Sequence, residues 1–231
     1  MLNEFSQAIE LLLQLNVDVW HIIWVSLEVS ISALFLGTLL GLPLGGFVAT
    51  QHFWGRRLVI ILLNSLMSIP TVIVGVLVYL LLTRNGPLGN LNWLFSIKGM
   101  ILAQTILTTP IIAALSRQII ADGWNIHGET LKALGLGVIS RIKWILWDCR
   151  FSLSIAILAG FGRAISEVGA VMIVGGNIAH STRTMTTAIS LETSKGDLPL
   201  ALALGFVLLA IVLIVNVLIY FLKSNTEAKY G

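Results

Sequence analysis

Residues 198–222 read LPLALALGFVLLAIVLIVNVLIYFL, a run of 25 residues without a charged side chain. A helix of about 20 mostly apolar residues is long enough to cross the hydrocarbon core of a bilayer. Because backbone polar groups in lipid must find partners within their own segment, a helix is favoured there. This run therefore predicts a transmembrane helix and places the chain among membrane proteins.

Four earlier segments have the same character. Each is mostly apolar and about 20 residues long or longer. They cover residues 22–49, 58–82, 97–120 and 151–174. The chain is therefore predicted to be an all-α integral membrane protein with about five transmembrane helices, in which residues 20–223 form the membrane domain and residues 224–231 a tail.

The composition excludes several functional classes. Of the 231 residues, 57% are hydrophobic and 11% are charged, whereas soluble domains have about 45–50% apolar and about 25% charged residues. This excludes a soluble globular enzyme and a disordered chain. The net charge of +3 is too small, and the basic residues too dispersed, for nucleic-acid binding. The single cysteine, Cys149, and four scattered histidines predict no disulfide and no metal site.

Residues 1–19 precede the first predicted span. They contain acidic residues but no Lys or Arg, unlike the start of a secretory signal peptide. The apolar residues spaced like one helical face are Phe5, Ile9, Leu12, Leu13 and Leu15. The segment is predicted to be an amphipathic helix at the membrane surface, and a part in partner docking is the alternative.

The distribution of Lys and Arg predicts the orientation. The turn at 50–57, the loop at 121–150 and the C-terminal tail carry eight of these residues, against four on the other side. The positive-inside rule places the first group in the cytoplasm. The N-terminus is therefore predicted outside and the C-terminus inside, as an odd number of spans requires.

Glycines and prolines interrupt the apolar pattern of three spans. Gly37, Gly41 and Gly45 recur every four residues, a spacing that lets membrane helices approach closely. Pro70 and Pro110 are predicted to interrupt the second and third spans. Such breaks are typical either of ordinary helix packing or of a moving bundle that lines a transport pathway.

The loop at 121–150 reads ADGWNIHGETLKALGLGVISRIKWILWDCR and is amphipathic. Gly128 precedes a predicted helical stretch at 129–134, and Gly135 is predicted to end it as a C-terminal cap. A second helical stretch follows. Its apolar face is predicted to comprise Ile139, Ile142, Ile145 and Leu146. Two short helices joined by a glycine turn would form a rigid knob on the cytoplasmic surface; a plain interfacial linker is the alternative.

Within this knob, residues 129–135 (ETLKALG) resemble the EAA loop, Glu-Ala-Ala-x-x-x-Gly, of ABC importer permeases. Glu129 and Gly135 match, whereas Thr130 and Leu131 replace the two alanines, and Trp147-Asp148 stand where the family usually has Leu-Pro. In that family the loop forms coupling helices that dock into a separate ATPase subunit. The resemblance implies a type I ABC importer permease core. The coupling residues that it implies are Glu129, Thr130, Ala133, Leu134 and Gly135.

A second stretch narrows the resemblance. Residues 161–170 (FGRAISEVGA) resemble the Ala-Arg-x-Ile-Ser-Glu-Phe-Gly-Ala stretch of molybdate, tungstate and sulfate permeases. The continuation at 171–178 and 182–189 is most similar to the tungstate branch. The resemblance extends over about residues 20–222 and implies transport of an oxyanion, with tungstate favoured.

The charges inside this stretch have a physical meaning of their own. A charged group within a span costs about 2.5–3.5 kcal/mol on insertion scales. Arg163 and Glu167 lie four residues apart, so they share a helix face and are predicted to pair. The pair is interpreted as an internal salt bridge that lets the helix insert, or as a polar knot facing the bundle.

Tight binding of an oxyanion by Arg163 would trap a substrate that has to leave, so neutral groups are expected to line the pathway. Residues of these types also often bond back to their own helix. The candidates are Ser68, Thr71, Thr108, Thr109, Ser166, Asn177 and Thr187.

No nucleotide-binding loop of the form G-x-x-x-x-G-K-[ST] and no catalytic set is present in the sequence, which disfavours an enzyme. The predicted function is that of the membrane-spanning permease subunit of an ATP-binding-cassette importer in the cytoplasmic membrane. The alternatives are a molybdate or sulfate permease and an ATP-independent secondary anion transporter. No cofactor is expected in this chain, because a partner would bind ATP and Mg²⁺. The expected partners are a second copy of the chain in a homodimer, a cytoplasmic ABC ATPase dimer, an extracytoplasmic oxyanion-binding protein and membrane lipid.

Overall fold

The computed structural model describes residue 10 and residues 17–230, with side chains up to residue 221. Within these residues the elements are helical, which confirms the all-α fold class. One 3₁₀ turn covers Gly89–Leu91. The α-helices are α1 (Val17–Thr50), α2 (Arg56–Met67), α3 (Thr71–Leu82), α4 (Ile97–Ala133), α5 (Val138–Asp148), α6 (Arg150–Ile165), α7 (Gly169–Gly175), α8 (Met185–Lys195) and α9 (Leu198–Tyr230).

Three helices are individually long and apolar enough to cross a membrane: α1, α4 and residues Leu198–Phe221 of α9. Two helix pairs pass the same test jointly but are bent, α2 with α3 by 99° and α5 with α6 by 80°. The described chain therefore has three spans, or five if each bent pair is one span. The predicted number of five is reached only by counting the bent pairs.

The prolines differ in their effect. The prediction for Pro70 is confirmed, since α2 ends at Met67 and α3 begins just after the proline. The prediction for Pro110 is wrong, because α4 continues through it from Ile97 to Ala133. A membrane helix tolerates an internal proline when neighbouring groups satisfy the freed backbone carbonyl.

The fourth predicted span is also corrected. Residues 151–174 are not one helix, because α6 ends at Ile165 and α7 begins at Gly169. The carboxylate of Glu167 accepts a hydrogen bond from the backbone N–H of Ala170 at 3.1 Å, which satisfies a donor in the first turn of α7. A side chain in the gap thus starts a second helix, and residues 166–168 stay outside both helices.

The two ends of the chain are described only in part. Apart from residue 10, the first 16 residues of the predicted amphipathic segment 1–19 lie outside the described residues, and residues 17–19 belong to the first turn of α1. The predicted tail at 224–231 has a helical backbone as far as Tyr230.

The described chain divides into two compact units. The first unit comprises the chain up to Ala33, Pro70–Thr105 and Gly162–Ile214. Four of its side chains form a cluster that is almost fully buried. They are Val25, Val29, Met100 and Val171. These residues belong to α1, α4 and α7, so the hydrophobic effect holds three sequence-distant helices together in this unit.

The second unit comprises Leu34–Ile69, Ile106–Phe161 and the chain from Val215 onward. Its glycine stripe packs α1 against α4, as the spacing predicts. A Cβ atom at Gly37 would lie 2.5 Å from Oγ1 of Thr108, and one at Gly41 would lie 3.0 Å from the carbonyl oxygen of Thr109. Only glycine permits so close an approach of the two backbones at these positions.

Candidate functional site

The gap between α6 and α7 contains the one pair of opposite charges predicted within a span. Nη2 of Arg163 lies 3.8 Å from Oε2 of Glu167, so the predicted pair is formed. Glu167 is 5% exposed and Arg163 is 47% exposed, so the carboxylate is held inside the unit while the guanidinium reaches its surface. The arrangement presents a positive group at the surface and neutralises the buried negative one beneath it.

Two residues distant in sequence hold this gap in place. The hydroxyl of Thr186 donates to the carbonyl oxygen of Glu167 at 2.7 Å. The side-chain amide of Gln104 donates to the carbonyl oxygen of Ala164 at 3.0 Å. Both donors are buried, and both carbonyls lie where the helical pattern of α6 ends, so these bonds satisfy acceptors that the interrupted helix leaves open. The gap is therefore fixed from α4 and from α8.

Helices α3 and α7 run in the same direction and in close contact. A Cβ atom at Gly169 would lie 2.9 Å from a methyl carbon of Val72, and one at Gly75 would lie 2.8 Å from Cα of Ala170. Since residue 169 faces residue 72 and residue 170 faces residue 75, the N-terminal ends of both helices lie together. Thr71, the first residue of α3, is 3.2 Å from the same added Cβ at Gly169.

This end of the first unit carries partial positive charge. The first N–H groups of a helix have no partner within the helix, and the helix dipole adds to their positive potential. The carboxylate of Glu167 occupies one donor of α7, whereas the N-terminus of α3 begins behind Pro70 without a side-chain cap. With Arg163 at the surface nearby in sequence, the region suits transient contact with an anion.

The seven predicted pathway residues differ in exposure. Thr108 and Thr187 are buried, Thr71, Thr109 and Asn177 are half-buried, and Ser68 and Ser166 are exposed. Thr71 is the first residue of α3, Ser166 lies in the gap between α6 and α7, and Ser68 lies two residues before Pro70. The hydroxyl of Ser166 donates back to the carbonyl of Gly162 at 2.8 Å.

Two further candidates act as supports for the polypeptide backbone. The side-chain amide of Asn177 donates to the carbonyl of Thr187 at 3.3 Å. The hydroxyl of Thr187 accepts a hydrogen bond from the backbone N–H of Thr184 at 3.0 Å. The hydroxyl of Thr184 accepts one in return from the backbone N–H of Thr187. These two bonds form a capping box at the start of α8. These contacts give Asn177 and Thr187 a structural role. That the two residues line a transport pathway stays a prediction.

Sequence reasoning missed Gln104 and Thr186, which position the gap at residues 166–168. The bond from Gln104 to Ala164 joins residues 60 positions apart, and no periodicity in the sequence predicts such a contact. Thr186 could have been suspected, because it lies in the threonine-rich stretch 182–187, where α8 begins. Threonines at a helix start are typical caps.

The predicted knob at 121–150 is built differently from the prediction. The stretch 129–134 is not a separate helix, because α4 extends without a break to Ala133. Gly135 ends it in the left-handed conformation (φ +70°), as predicted for a C-terminal cap. The second predicted helical stretch is α5. The knob is therefore the end of a long spanning helix, a glycine turn and one short helix.

The interior of the knob is a cluster around Trp124. Ile120, Leu131 and Ile145 are buried against it, together with Leu153 of α6. The predicted apolar face of α5 is only partly correct, since Ile145 is buried but Ile139 is 70% exposed. The cluster makes the knob a rigid extension of the second unit.

The surface of the knob is exposed where the coupling residues were predicted. All five are exposed, and Leu134 is exposed by 68%. They are Glu129, Thr130, Ala133, Leu134 and Gly135. Their exposure leaves them accessible to a partner, and their part in coupling stays a prediction.

Cys149 lies between α5 and α6, at the end of the loop predicted at 121–150. Burial raises the pKa of its thiol, and the negative charges of Asp148 and Asp122 raise it further. A pocket of about 500 Å³ adjoins it, and His127 and Asp148 lie 3.6 Å apart in the pocket wall. A raised pKa disfavours the thiolate, the reactive form of the Cys149 side chain.

The chain is similar to transport permeases over most of its length. It is 41% identical to the tungstate uptake system permease protein of Peptoclostridium acidaminophilum over 96% of this chain and 97% of that protein. It is 40% identical to a probable anion ABC transporter permease protein of Haloferax volcanii over 90% of this chain and 91% of that protein. It is 28% identical to the sulfate transport system permease protein of Escherichia coli over 75% of this chain and 62% of that protein. No family model matches the chain.

Proposed function

The chain belongs to the ABC transporter permease family that includes the tungstate uptake permeases, and on this premise we propose that it carries tungstate across the cytoplasmic membrane. Identity near 40% to tungstate uptake permeases from two organisms supports this anion. Sulfate permeases are more distant, at 25–28% identity.

The exposed Arg163 over a buried Glu167 is the observation that carries the proposal. Tungstate is a doubly charged anion, so its pathway has to offer positive potential without a tight site that would hold it. The guanidinium of Arg163, partly neutralised by Glu167, and the N-terminus of α3 supply such potential. The exposed Ser166 adds a neutral hydroxyl. We assign the pathway to this side of the first unit.

The knob is the part that receives energy from the ATPase. An ABC transporter permease works with an ATPase subunit and, in an importer, with a binding protein. The exposed Leu134 and Glu129 on a rigid turn suit docking to that subunit. Because α4 continues from the knob without a break into the predicted third span, a displacement of the knob would act on that span directly.

The pathway is proposed to lie between two copies of the chain. The described residues of one copy contain at most five spans, and many apolar side chains of α3 and α9 are exposed on the surface. A second copy would cover part of that surface and close a pathway around the two-fold axis. ATP and Mg²⁺ bind only to the ATPase dimer in this assembly, so the chain itself is a transport subunit without a cofactor.

The orientation places the knob in the cytoplasm and the N-terminus outside, as the eight basic residues against four indicate. Single cysteines introduced at Ser6 and at Asn225 test it with an impermeant maleimide in sealed cells. Only the cysteine at position 6 is expected to react. Labelling at position 225 would reverse the orientation.

Uptake of tungstate by vesicles tests the function itself. The permease, its ATPase and its binding protein are reconstituted with ATP inside, and internal tungsten is measured by elemental analysis. Uptake is expected with tungstate and to require ATP. Uptake driven by an ion gradient without ATP would favour a secondary transporter, and faster uptake of sulfate or molybdate would change the proposed anion.

A further inference from the structure

A small polar pocket lies in the first unit, among residues that neither the gap nor the knob uses. It encloses about 160 Å³. Its polar wall consists of Asp18 and His21 at the start of α1, and His180 and Arg183 ahead of α8; apolar side chains complete it. Since one water takes about 30 Å³, the pocket has room for one small ion with part of its hydration shell.

Arg183, one of the residues of the pocket wall, also has an unsatisfied donor. Its Nη1 lies 3.7 Å from Oε1 of Glu192, and the same carboxylate oxygen accepts from Nζ of Lys195 at 3.0 Å. One buried carboxylate is thus shared by two cations, which leaves an excess of positive charge. Nε of Arg183 is buried and has no hydrogen-bond partner among the described residues. A buried N–H of a charged group is stable only if an acceptor reaches it, from a water or a ligand.

The histidines supply further donors on the same wall. The ring centroids of His21 and His180 are 6.4 Å apart, and Nδ1 of His180 lies 3.6 Å from Oδ1 of Asp18. Among the described residues of the wall, Asp18 is the only acidic one, and it lies against a histidine. Each imidazole carries at least one N–H donor, so the wall offers donors to an acceptor from more than one direction.

We propose that this pocket is a binding site for a tetrahedral oxyanion, where the transported anion makes its first contact with the permease. Four oxygens around one centre match donors that come from separate directions, and Arg183 disfavours a cation. No group of three metal-ligating side chains occurs in the part of the chain that the structure describes. The choice of tungstate as the ligand, and the location of the pocket at the extracytoplasmic side, rest on the proposed function.

Tungstate binding to the permease and ATPase complex in nanodiscs, without the binding protein, tests the pocket. Bound tungsten is measured by equilibrium dialysis and elemental analysis. Saturable binding to one site per permease is expected. Arg183→Gln should weaken it at least tenfold, because a charged hydrogen bond is lost. Arg183→Lys keeps the charge without the Nε–H and should weaken it severalfold.

Two further variants separate binding from folding. His180 has a left-handed backbone (φ +56°), which asparagine tolerates. His180→Asn therefore leaves the contact of Arg183 with Glu192 intact and should still weaken binding severalfold. Arg84→Gln is the matched control: it removes an exposed arginine from the same predicted side and should bind as the wild type does.

The pocket is refuted if the wild type shows no saturable binding, or if Arg183→Gln and His180→Asn both bind with wild-type affinity. Uptake by the same preparations, assayed with the binding protein added, separates this failure from failure of the proposed function. A complex that takes up tungstate but shows no saturable binding refutes the pocket alone. A complex that takes up none refutes the proposed function.

Discussion

Two substitutions of Glu167 separate its charge from its hydrogen bond. Glu167→Gln removes the charge facing Arg163 but keeps an oxygen that can accept from the N–H of Ala170. Glu167→Ala removes both. Neither change affects the bond from Thr186, because that bond goes to the backbone carbonyl.

The structure sets the size of each effect. Because Arg163 is 47% exposed and 3.8 Å from the carboxylate, solvent screens the pair, and its loss should cost about 0.5–1 kcal/mol. Loss of the cap at the start of α7 adds about 1 kcal/mol, and leaving a buried N–H without an acceptor adds about 1–3 kcal/mol. Relative to the wild type, Glu167→Ala should therefore destabilise the protein by about 2.5–5 kcal/mol, and Glu167→Gln by no more than about 1 kcal/mol.

Reversible unfolding of the purified permease in mixed detergent micelles measures these differences. The double variant Arg163→Gln with Glu167→Gln should recover part of the loss seen in Glu167→Gln, since no unpaired guanidinium remains. Glu129→Gln, on the exposed knob, is the matched control and should leave the free energy of unfolding unchanged. If Glu167→Gln destabilises as much as Glu167→Ala, or if the two Gln substitutions are additive, the pairing argument fails.

Three other substitutions test the knob and the glycine stripe. Gly135→Val should strain the turn by about 1–2 kcal/mol, because a β-branched residue disfavours φ +70°. Membrane insertion should stay normal, whereas co-purification of the ATPase and stimulated ATP hydrolysis should fall. The control Gly135→Asn should retain both, because asparagine tolerates this conformation. Glu129→Lys reverses an exposed charge and should reduce co-purification of the ATPase. If both this variant and Gly135→Val retain the ATPase and full tungstate uptake, the knob is a plain linker. Gly41→Ala should destabilise the protein by about 1–3 kcal/mol, since the added Cβ would lie 3.0 Å from Cβ of Ile112. The control Gly162→Ala should have little effect, because nothing lies within 4 Å of the added Cβ there. Thermal unfolding compares the two variants, and equal destabilisation by both would contradict the close packing of α1 on α4.

The agreement between sequence and structure is best where a property depends on a short stretch of chain. The apolar runs predicted α1, α4 and α9, because the length needed to cross a bilayer is a local property. Gly135 was predicted as a cap and has φ +70°, since left-handed backbone favours glycine locally. Pro70 broke its span for a similar local reason.

Predictions that depended on neighbours were less accurate. Pro110 stays within a continuous helix, whereas the fourth span breaks at residues 166–168, where no proline occurs. The break depends on Gln104, 60 residues from its acceptor, and on Thr186. Local propensity says little about such a break, because its open carbonyls are satisfied only by side chains that the fold brings to them.

The sequence by itself determined that the chain spans a membrane and which family it resembles. It also determined that Arg163 and Glu167 can pair. Each of these conclusions depends only on composition, motif or spacing along the chain. Tertiary structure alone decided which polar groups are buried and which reach the surface. Thr108 and Thr187 looked equivalent to Ser68 and Ser166 in sequence, but the first two are enclosed by neighbouring helices and the last two are exposed at helix breaks. Burial results from contacts between distant segments, and no single stretch of chain encodes it.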